Sequence, residues 1–301
     1  MRKLNTKKII VVLIISSLLL VYWLKLDALG WYIWHNAETI TDTHALNLKD
    51  YQVAIERLAI EEIDNASELT YNRLTNTLFT VLNKGNQIVE ISLSGKVLRR
   101  INVIGIGDME GVTHIDGNRF VIAAEYDSSL ILVDLDENSS VLDVENLPKI
   151  RLGINKNGNK NFEGVSWDYK KKTLLVVKER DPKYVISVEG LISEAGKGAI
   201  NLNIERLHQY DNMLAWAMRD LSAVQYLGKS GHLLLLSDES KMLKEFDENA
   251  KPIGAMLFWK GFHGLKNNVP QAEGVAIDDN NNLYLISEPN LFYVFKPLKK
   301  N

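Results

Sequence analysis

The sequence predicts an all-β fold, a β-propeller of five four-stranded blades behind one N-terminal transmembrane helix. Three observations predict it. An acid followed by a short apolar run recurs five times, strand-length apolar runs fill the chain after about residue 50, and the last repeat lacks a strand that an orphan segment near the start can supply.

The first element is residues 1–30. Arg2, Lys3, Lys7 and Lys8 precede an apolar run from Ile9 to Leu24 that only Ser16 and Ser17 interrupt. At about 1.5 Å per residue this run is short for a hydrocarbon core of about 30 Å, and Tyr22, Trp23 and a snorkelling Lys25 extend it to the interface. A cleaved signal peptide is the alternative, but Ala28-Leu29-Gly30 sits among bulky residues and makes a poor cleavage site. The stretch therefore reads as a signal anchor with a cytoplasmic basic tip and the rest of the chain exported. The expected location is a bacterial inner membrane, single-pass, with the C-terminal domain in the periplasm.

Residues 31–49 are polar and irregular and read as a tether. The propeller domain takes 50–301. A 46% apolar and 24% charged composition describes a globular protein, and the absence of cysteine removes disulfides and thiolate metal sites. Residues 1–34 hold five of the 35 basic and one of the 38 acidic residues, so the remainder carries 30 basic against 37 acidic groups, a net −7. That balance excludes a nucleic-acid partner.

The repeats are ASELTYN (66–72), DMEGVTHID (108–116), NFEGVSWD (161–168), RDLSAVQY (219–226) and QAEGVAIDD (271–279). Aligned on Glu68, Glu110, Glu163, Asp220 and Glu273, they recur at intervals of 42, 53, 57 and 53 residues. Each is followed by a very apolar run, such as TLFTVL (77–82), RFVIAA (119–124), TLLVVK (173–178), HLLLLS (232–237) or NLYLIS (282–287). ISLSGKVLRRINV (91–103), VDLDENSSVLDVENL (133–147) and KEFDENAKPIGAMLFW (244–259) read as three versions of a blade's last hairpin. The final repeat supplies three strands, and YQVAIERLAI (51–60) supplies the fourth, closing the ring without an open edge. The stretch from Ser187 to Arg219 is long enough to hold a sixth blade. A β-sandwich with chance similarity is the competing architecture.

A second polar position ends each apolar run: Asn83, Glu125, Glu179, Asp238 and Glu288. In an antiparallel blade the start of the inner strand and the end of its neighbour lie at one edge, about 4.8 Å apart. Both sets of acids then crowd one mouth of the central channel. Such a cluster needs protons, backbone N–H donors or cations. All-oxygen ligands favour calcium, then magnesium or manganese. The six histidines show no zinc spacing. The bland alternative for any single acid is a brace that accepts hydrogen bonds within its blade.

Three long connections overhang the same mouth: 152–161, the stretch to 219, and 259–271. They carry Lys156, Lys160, Arg219 and Lys266 beside Trp216 and Trp259, which could hold an anionic or sugar ligand, or serve as ordinary solvated loop residues. No nucleophile elbow, P-loop or Rossmann fingerprint is present, and IGIGDMEG (104–111) precedes a strand and reads as a turn.

The basic-flanked apolar segment together with ASELTYN, DMEGVTHI, NFEGVSWD, DLSAVQY and AEGVAID resembles the SdiA-regulated family, the YjiK-like proteins of Gram-negative bacteria. The resemblance runs from about Ala45 to the C-terminus. It implies a membrane-anchored or exported propeller of no established reaction, with Glu68, Glu110, Glu163, Asp220 and Glu273 facing the channel and calcium bound there. Asn83 departs from the acid at its position. The expected role is a module that binds a small-molecule or protein ligand. A metal-dependent hydrolase of phosphate esters or lactones is the alternative.

Overall fold

The computed structural model describes residues 6–37, 42–152, 162–192 and 201–298. Helix α1 (Thr6–Trp23) has a mean hydropathy of 1.9, and none of its residues is buried by the described part of the chain. A turn at Lys25 leads into α2 (Leu26–Ala37). The expected tether is thus helical as far as Ala37. Its Ala28, Leu29, Trp31 and Tyr32 pack on Met242, Ala255 and Leu257 of the domain.

Strand β1 (Tyr51–Ala59) comes next, and then five sheets. Blade one is β2 (Ala66–Asn72), β3 (Thr77–Leu82), β4 (Gln87–Ile91) and β5 (Val97–Ile104). Blade two opens with β6 (Met109–Asp116), β7 (Arg119–Ala124) and β8 (Ser129–Asp134). After β9 (Val141–Asp143) it is completed by β10 (Lys149–Arg151), which pairs with β8. Blade three is β11 (Phe162–Asp168), β12 (Thr173–Lys178), β13 (Tyr184–Glu189) and β14 (Asn203–Arg206). Helix α3 (Asp211–Ala217) leads to blade four: β15 (Ala223–Leu227), β16 (His232–Ser237), β17 (Met242–Phe246) and β18 (Pro252–Leu257). Blade five holds β19 (Gln271–Ile277), β20 (Leu283–Glu288) and β21 (Leu291–Pro297), with β1 on its outside. The pairing of β1 with β21 runs antiparallel from Tyr51↔Pro297 to Ala59↔Leu291, so the orphan strand closes the ring.

The stretch from Ser187 to Arg219 holds no sixth blade: its described residues form the end of β13, β14, a 3₁₀ turn and α3. The hairpin expected in VDLDENSSVLDVENL is also absent. Its second arm, β9, crosses to blade one and pairs parallel with β5, Asn102 opposite Val141. The crossing covers an edge strand that would otherwise present unpaired N–H and C=O groups. It also lets Leu142 and Val144 pack between blades one and two.

The second strands are apolar on both faces because each blade is covered by a neighbour on either side. Leu234 and Leu236 face blade five, whereas Leu233 and Leu235 face blade three. Equivalent clusters fill the other interfaces, with Val121 and Ala123 against Val165 and Trp167 between blades two and three. The core is therefore five interfaces around a ring, and the inner strands line its axis.

Candidate functional site

The acids owe their position to a repeated irregularity. In β6, β11 and β19 the pairing with the second strand skips one residue, between Met109 and Gly111, Phe162 and Gly164, and Ala272 and Gly274. The skipped residues are Glu110, Glu163 and Glu273. A bulged residue has no ladder partner, and its side chain is re-aimed. The glycine after it has a different task. A Cβ on Gly164 would lie 2.8 Å from Ala223 Cα, and one on Gly274 would lie 2.6 Å from the backbone of Glu68 and Leu69. The glycine of E-G-V lets adjacent inner strands touch.

Blades one and four depart from the register that the sequence predicts. In β2 the skipped residue is Ser67, so Glu68 takes the place that glycine holds elsewhere. In blade four Ser222 N donates to Leu236 O while Ala223 pairs with the same Leu236, which puts Ser222 on the bulge. Asp220 lies two residues earlier, level with Asp108 of blade two. Aligning acid with acid hides these shifts of one and two residues.

Glu68 is 1% exposed. Its carboxylate accepts the N–H of Leu69 at 3.0 Å and of Val165 in blade three at 3.4 Å, and also that of Val275 in blade five. Burial raises its pKa well above the usual range, against the pull of these donors. It ties three blades together.

Beside it lies a set of carboxylates able to hold an ion. Oxygens of Asp108, Glu110 and Glu125 lie within 4.8 Å of one another. The Glu125 N–H donates to Asp108 O at 2.9 Å, which fixes the two strand ends side by side. Asn83 Nδ2 and Ser67 both bond to Glu110. Burial, followed by the charges of Asp108, Glu125 and Glu288, still raises Glu110 to about 8. Burial also lifts Glu163, aided by Glu110, Glu179, Glu125 and Glu273. Glu273 is raised to about 8 by burial, then by Asp238, Glu288, Glu110 and Asp220. These mutual influences put both acid sets at one mouth.

Around the rest of the mouth the acids have partners. Asp220 accepts from Ser237 Oγ and, at 3.1 Å, from Glu239 N; burial nevertheless raises it to about 6. Arg180 bonds to Glu179, lies 2.8 Å from Glu239 and reaches 3.9 Å from Asp220. Lys241 Nζ is 2.5 Å from Asp238, which also accepts from Ala272 N at 2.9 Å. Glu288 accepts from Asn65 Nδ2 at 3.2 Å. Arg180 and Lys241 thus lie on the side of blades three and four, and the tight set of carboxylates lies on blade two.

The loop residues are dispersed. Lys156 and Lys160 lie outside the described residues. Trp216 on α3 is 89% exposed. Arg219 is bound to the N-terminal helices, 2.6 Å from both Asp27 Oδ1 and Tyr22 O. Trp259 packs edge-on against Phe262, and the Lys266 N–H donates to Glu56 of β1 on the outer side of blade five. Lys25, at the exit of α1, is within electrostatic reach of Asp238 and Asp220, so the apolar helix ends near the acidic mouth.

Sequence reasoning missed Asp108, Arg180 and Lys241. Asp108 had a signal: an acid two residues ahead of the motif glutamate, repeated as Asp220. The two cations follow no repeat and become visible only when the blades are assembled.

Solved structures offer distant likenesses. The chain is similar to a luciferin-regenerating enzyme at 13% identity and a TM-score of 0.51, over 82% of this chain and 96% of that one. It is similar to the Cps50 (Swd1) β-propeller domain of Myceliophteria thermophila at 12% identity and a TM-score of 0.41, over 79% and 65% of the two chains. A chain of a nidogen/laminin complex gives 13% identity and a TM-score of 0.45, over 75% and 73%. At 13% identity the likeness to the luciferin-regenerating enzyme speaks to fold alone. The model of the SdiA-regulated family matches residues 43–296, which include every acid of the mouth. The chain belongs to the SdiA-regulated family.

Proposed function

We propose that the protein is an exported propeller, anchored in the bacterial inner membrane by α1 with its blades in the periplasm. Its acidic mouth binds a hard divalent cation, calcium before magnesium or manganese, and the domain serves as a ligand- or partner-binding module. The observation that carries this reading is the approach of Asp108, Glu110 and Glu125 to within 4.8 Å. Three carboxylates this close, two of them buried, repel one another, and a divalent ion bound between them removes the repulsion. Glu163, Glu179, Asp220, Asp238, Glu273 and Glu288 surround the site, and Glu68 braces the ring. Lys7, Lys8 and the basic residues before them keep the N-terminus cytoplasmic.

Calcium titration of the metal-stripped full chain, followed by calorimetry, tests this. Saturable binding lost in Glu110→Gln is the expected result. No binding of calcium, magnesium or manganese refutes it.

One observation favours a second reading, a metal-dependent hydrolase. Glu163 is half-buried beside the three carboxylates with its pKa raised, the condition of a general base near a metal-bound water. Phosphomonoesters, phosphodiesters and lactones tested with calcium and with EDTA decide it. Calcium-dependent turnover abolished by Glu163→Gln establishes the enzyme, and silence across the panel leaves the binding module.

A further inference from the structure

The channel end opposite the acids opens into a cavity of about 390 Å³, a size typical of small-molecule sites. Its walls come from the far ends of the inner strands, with Tyr71 in β2, Tyr169 just past β11 and Tyr226 in β15. We infer that this cavity binds a small neutral carbohydrate of one or two rings.

Charge is the first argument. Arg73 and Lys229 stand at the rim, and Asp279 answers both: Arg73 Nε is 3.1 Å from its carboxylate, and Lys229 Nζ donates to its carbonyl at 2.6 Å. Asp278 also lines the cavity, so two cations meet two carboxylates and no surplus charge is left to recruit an ion. A paired guanidinium and carboxylate offer donors and acceptors side by side, which suits hydroxyl groups that do both.

The second argument is the set of hydroxyls deeper in the channel. Thr70 Oγ1 accepts the His114 N–H at 3.1 Å, and Ser166 Oγ accepts the Tyr226 N–H at 2.9 Å. Each O–H proton has no acceptor among the described residues, and both side chains line the cavity. Two buried donors are therefore available to a ligand.

The third is an aromatic ring in the cavity wall. Tyr169 is half-buried, and the Arg73 guanidinium, 5.0 Å from the ring centre, holds it in place. A Cβ on residue 228 would lie 3.4 Å from Tyr169 Cδ2 and 3.8 Å from Arg73 Nη2, so Gly228 keeps that space open. The apolar C–H face of a sugar ring stacks on such a surface while its hydroxyls reach the polar wall.

Calorimetry of the full chain in a detergent without a sugar headgroup, titrated with glucose, galactose, N-acetylglucosamine and maltose, tests this. Saturable binding of at least one is expected. Gly228→Val and Tyr169→Ala should each weaken it by roughly tenfold or more, while Glu110→Gln and EDTA leave it unchanged. That last contrast separates this site from the acidic mouth. Circular dichroism checks each variant's fold, and Arg73→Gln replaces either one that unfolds. The inference is overturned if none of the four sugars binds. It is also overturned if binding survives the variants, or if glucuronate or inorganic phosphate binds more tightly than the neutral sugars.

Discussion

Calcium stabilisation of this propeller should depend steeply on pH, because Glu110 must lose a proton before it can ligate. With a pKa of about 8 it is protonated at pH 6, and releasing that proton costs about 1.4 kcal/mol per pH unit below 8, or about 2.7 kcal/mol. Calcium affinity should then rise by about 50-fold between pH 6 and pH 8, and by about twofold more before levelling off above pH 9. For a dissociation constant of about 10 µM at pH 9, within the range of calcium sensor sites, 1 mM calcium stabilises the fold by about 2.7 kcal/mol. At about 2–4 °C per kcal/mol for a domain of this size, the melting temperature rises by about 5–10 °C. At pH 6 the same calcium should add only about 0.4 kcal/mol and about 1 °C. The assay is thermal unfolding of the full chain at pH 6, 7, 8 and 9, with calcium and with EDTA. The difference between the two curves at each pH is the readout, because it cancels every group that titrates away from the ion. In EDTA the raised acids run the other way. A folded-state pKa above the unfolded value gives stability that is present at low pH and is lost as pH rises from about 4.5 towards 8. A calcium increment that stays flat from pH 6 to pH 9, or is absent throughout, refutes the reasoning.

Three further outcomes are expected. Glu68→Ala leaves the buried N–H groups of Leu69, Val165 and Val275 without their acceptor, so the chain should melt several degrees lower, at about 1–3 kcal/mol per lost partner; its calcium increment should not change, and a lost increment would make Glu68 a ligand. Gly164→Ala forces a methyl group to 2.8 Å from Ala223 Cα and should cost about 1–3 kcal/mol, read from urea unfolding; an unchanged midpoint would show that the inner strands are not in contact. Lys244→Met removes a buried amine whose pKa burial lowers to about 6, so stability lost below the unfolded-state value of 10.5 is recovered. The gain in melting temperature should therefore be larger at pH 6 than at pH 9, and an equal gain at both would contradict the lowered pKa.

The propeller was legible because a blade repeats its solution to the same problem. The acid, the apolar second strand and the interval of about fifty residues survive divergence between blades, so the ring and its closure by β1 follow from the sequence. The register was not legible in two blades. A bulge leaves one residue outside the ladder, and nothing local reveals whether Ser67 or Glu68 is the one left out. The path of β9 was hidden for a different reason, since its partner β5 lies about forty residues away and the choice depends on which edge is bare. Helix α2 looked like a tether because Gly30 and its aromatic residues weaken local helix propensity. Its stability comes instead from packing on β18, where Asn36 Nδ2 also donates to Ala255 O at 3.3 Å. The site divides in the same way. Carboxylates repeated once per blade are visible in one dimension, and the counter-charges Arg180 and Lys241 appear only once distant blades are neighbours.

The pairing of Tyr51 with Pro297 sets a timetable for assembly. Strand β1 leaves the ribosome early, next to an apolar helix, and then waits for a partner about 240 residues downstream. Until β21 arrives, blade five has a bare edge and blades four and five cannot complete their shared core. The chain must be held apart from like chains through that interval, since an unpaired β1 fits the β21 of a neighbouring copy as well as its own. Crowding of nascent copies is therefore the condition under which this fold would exchange strands between molecules.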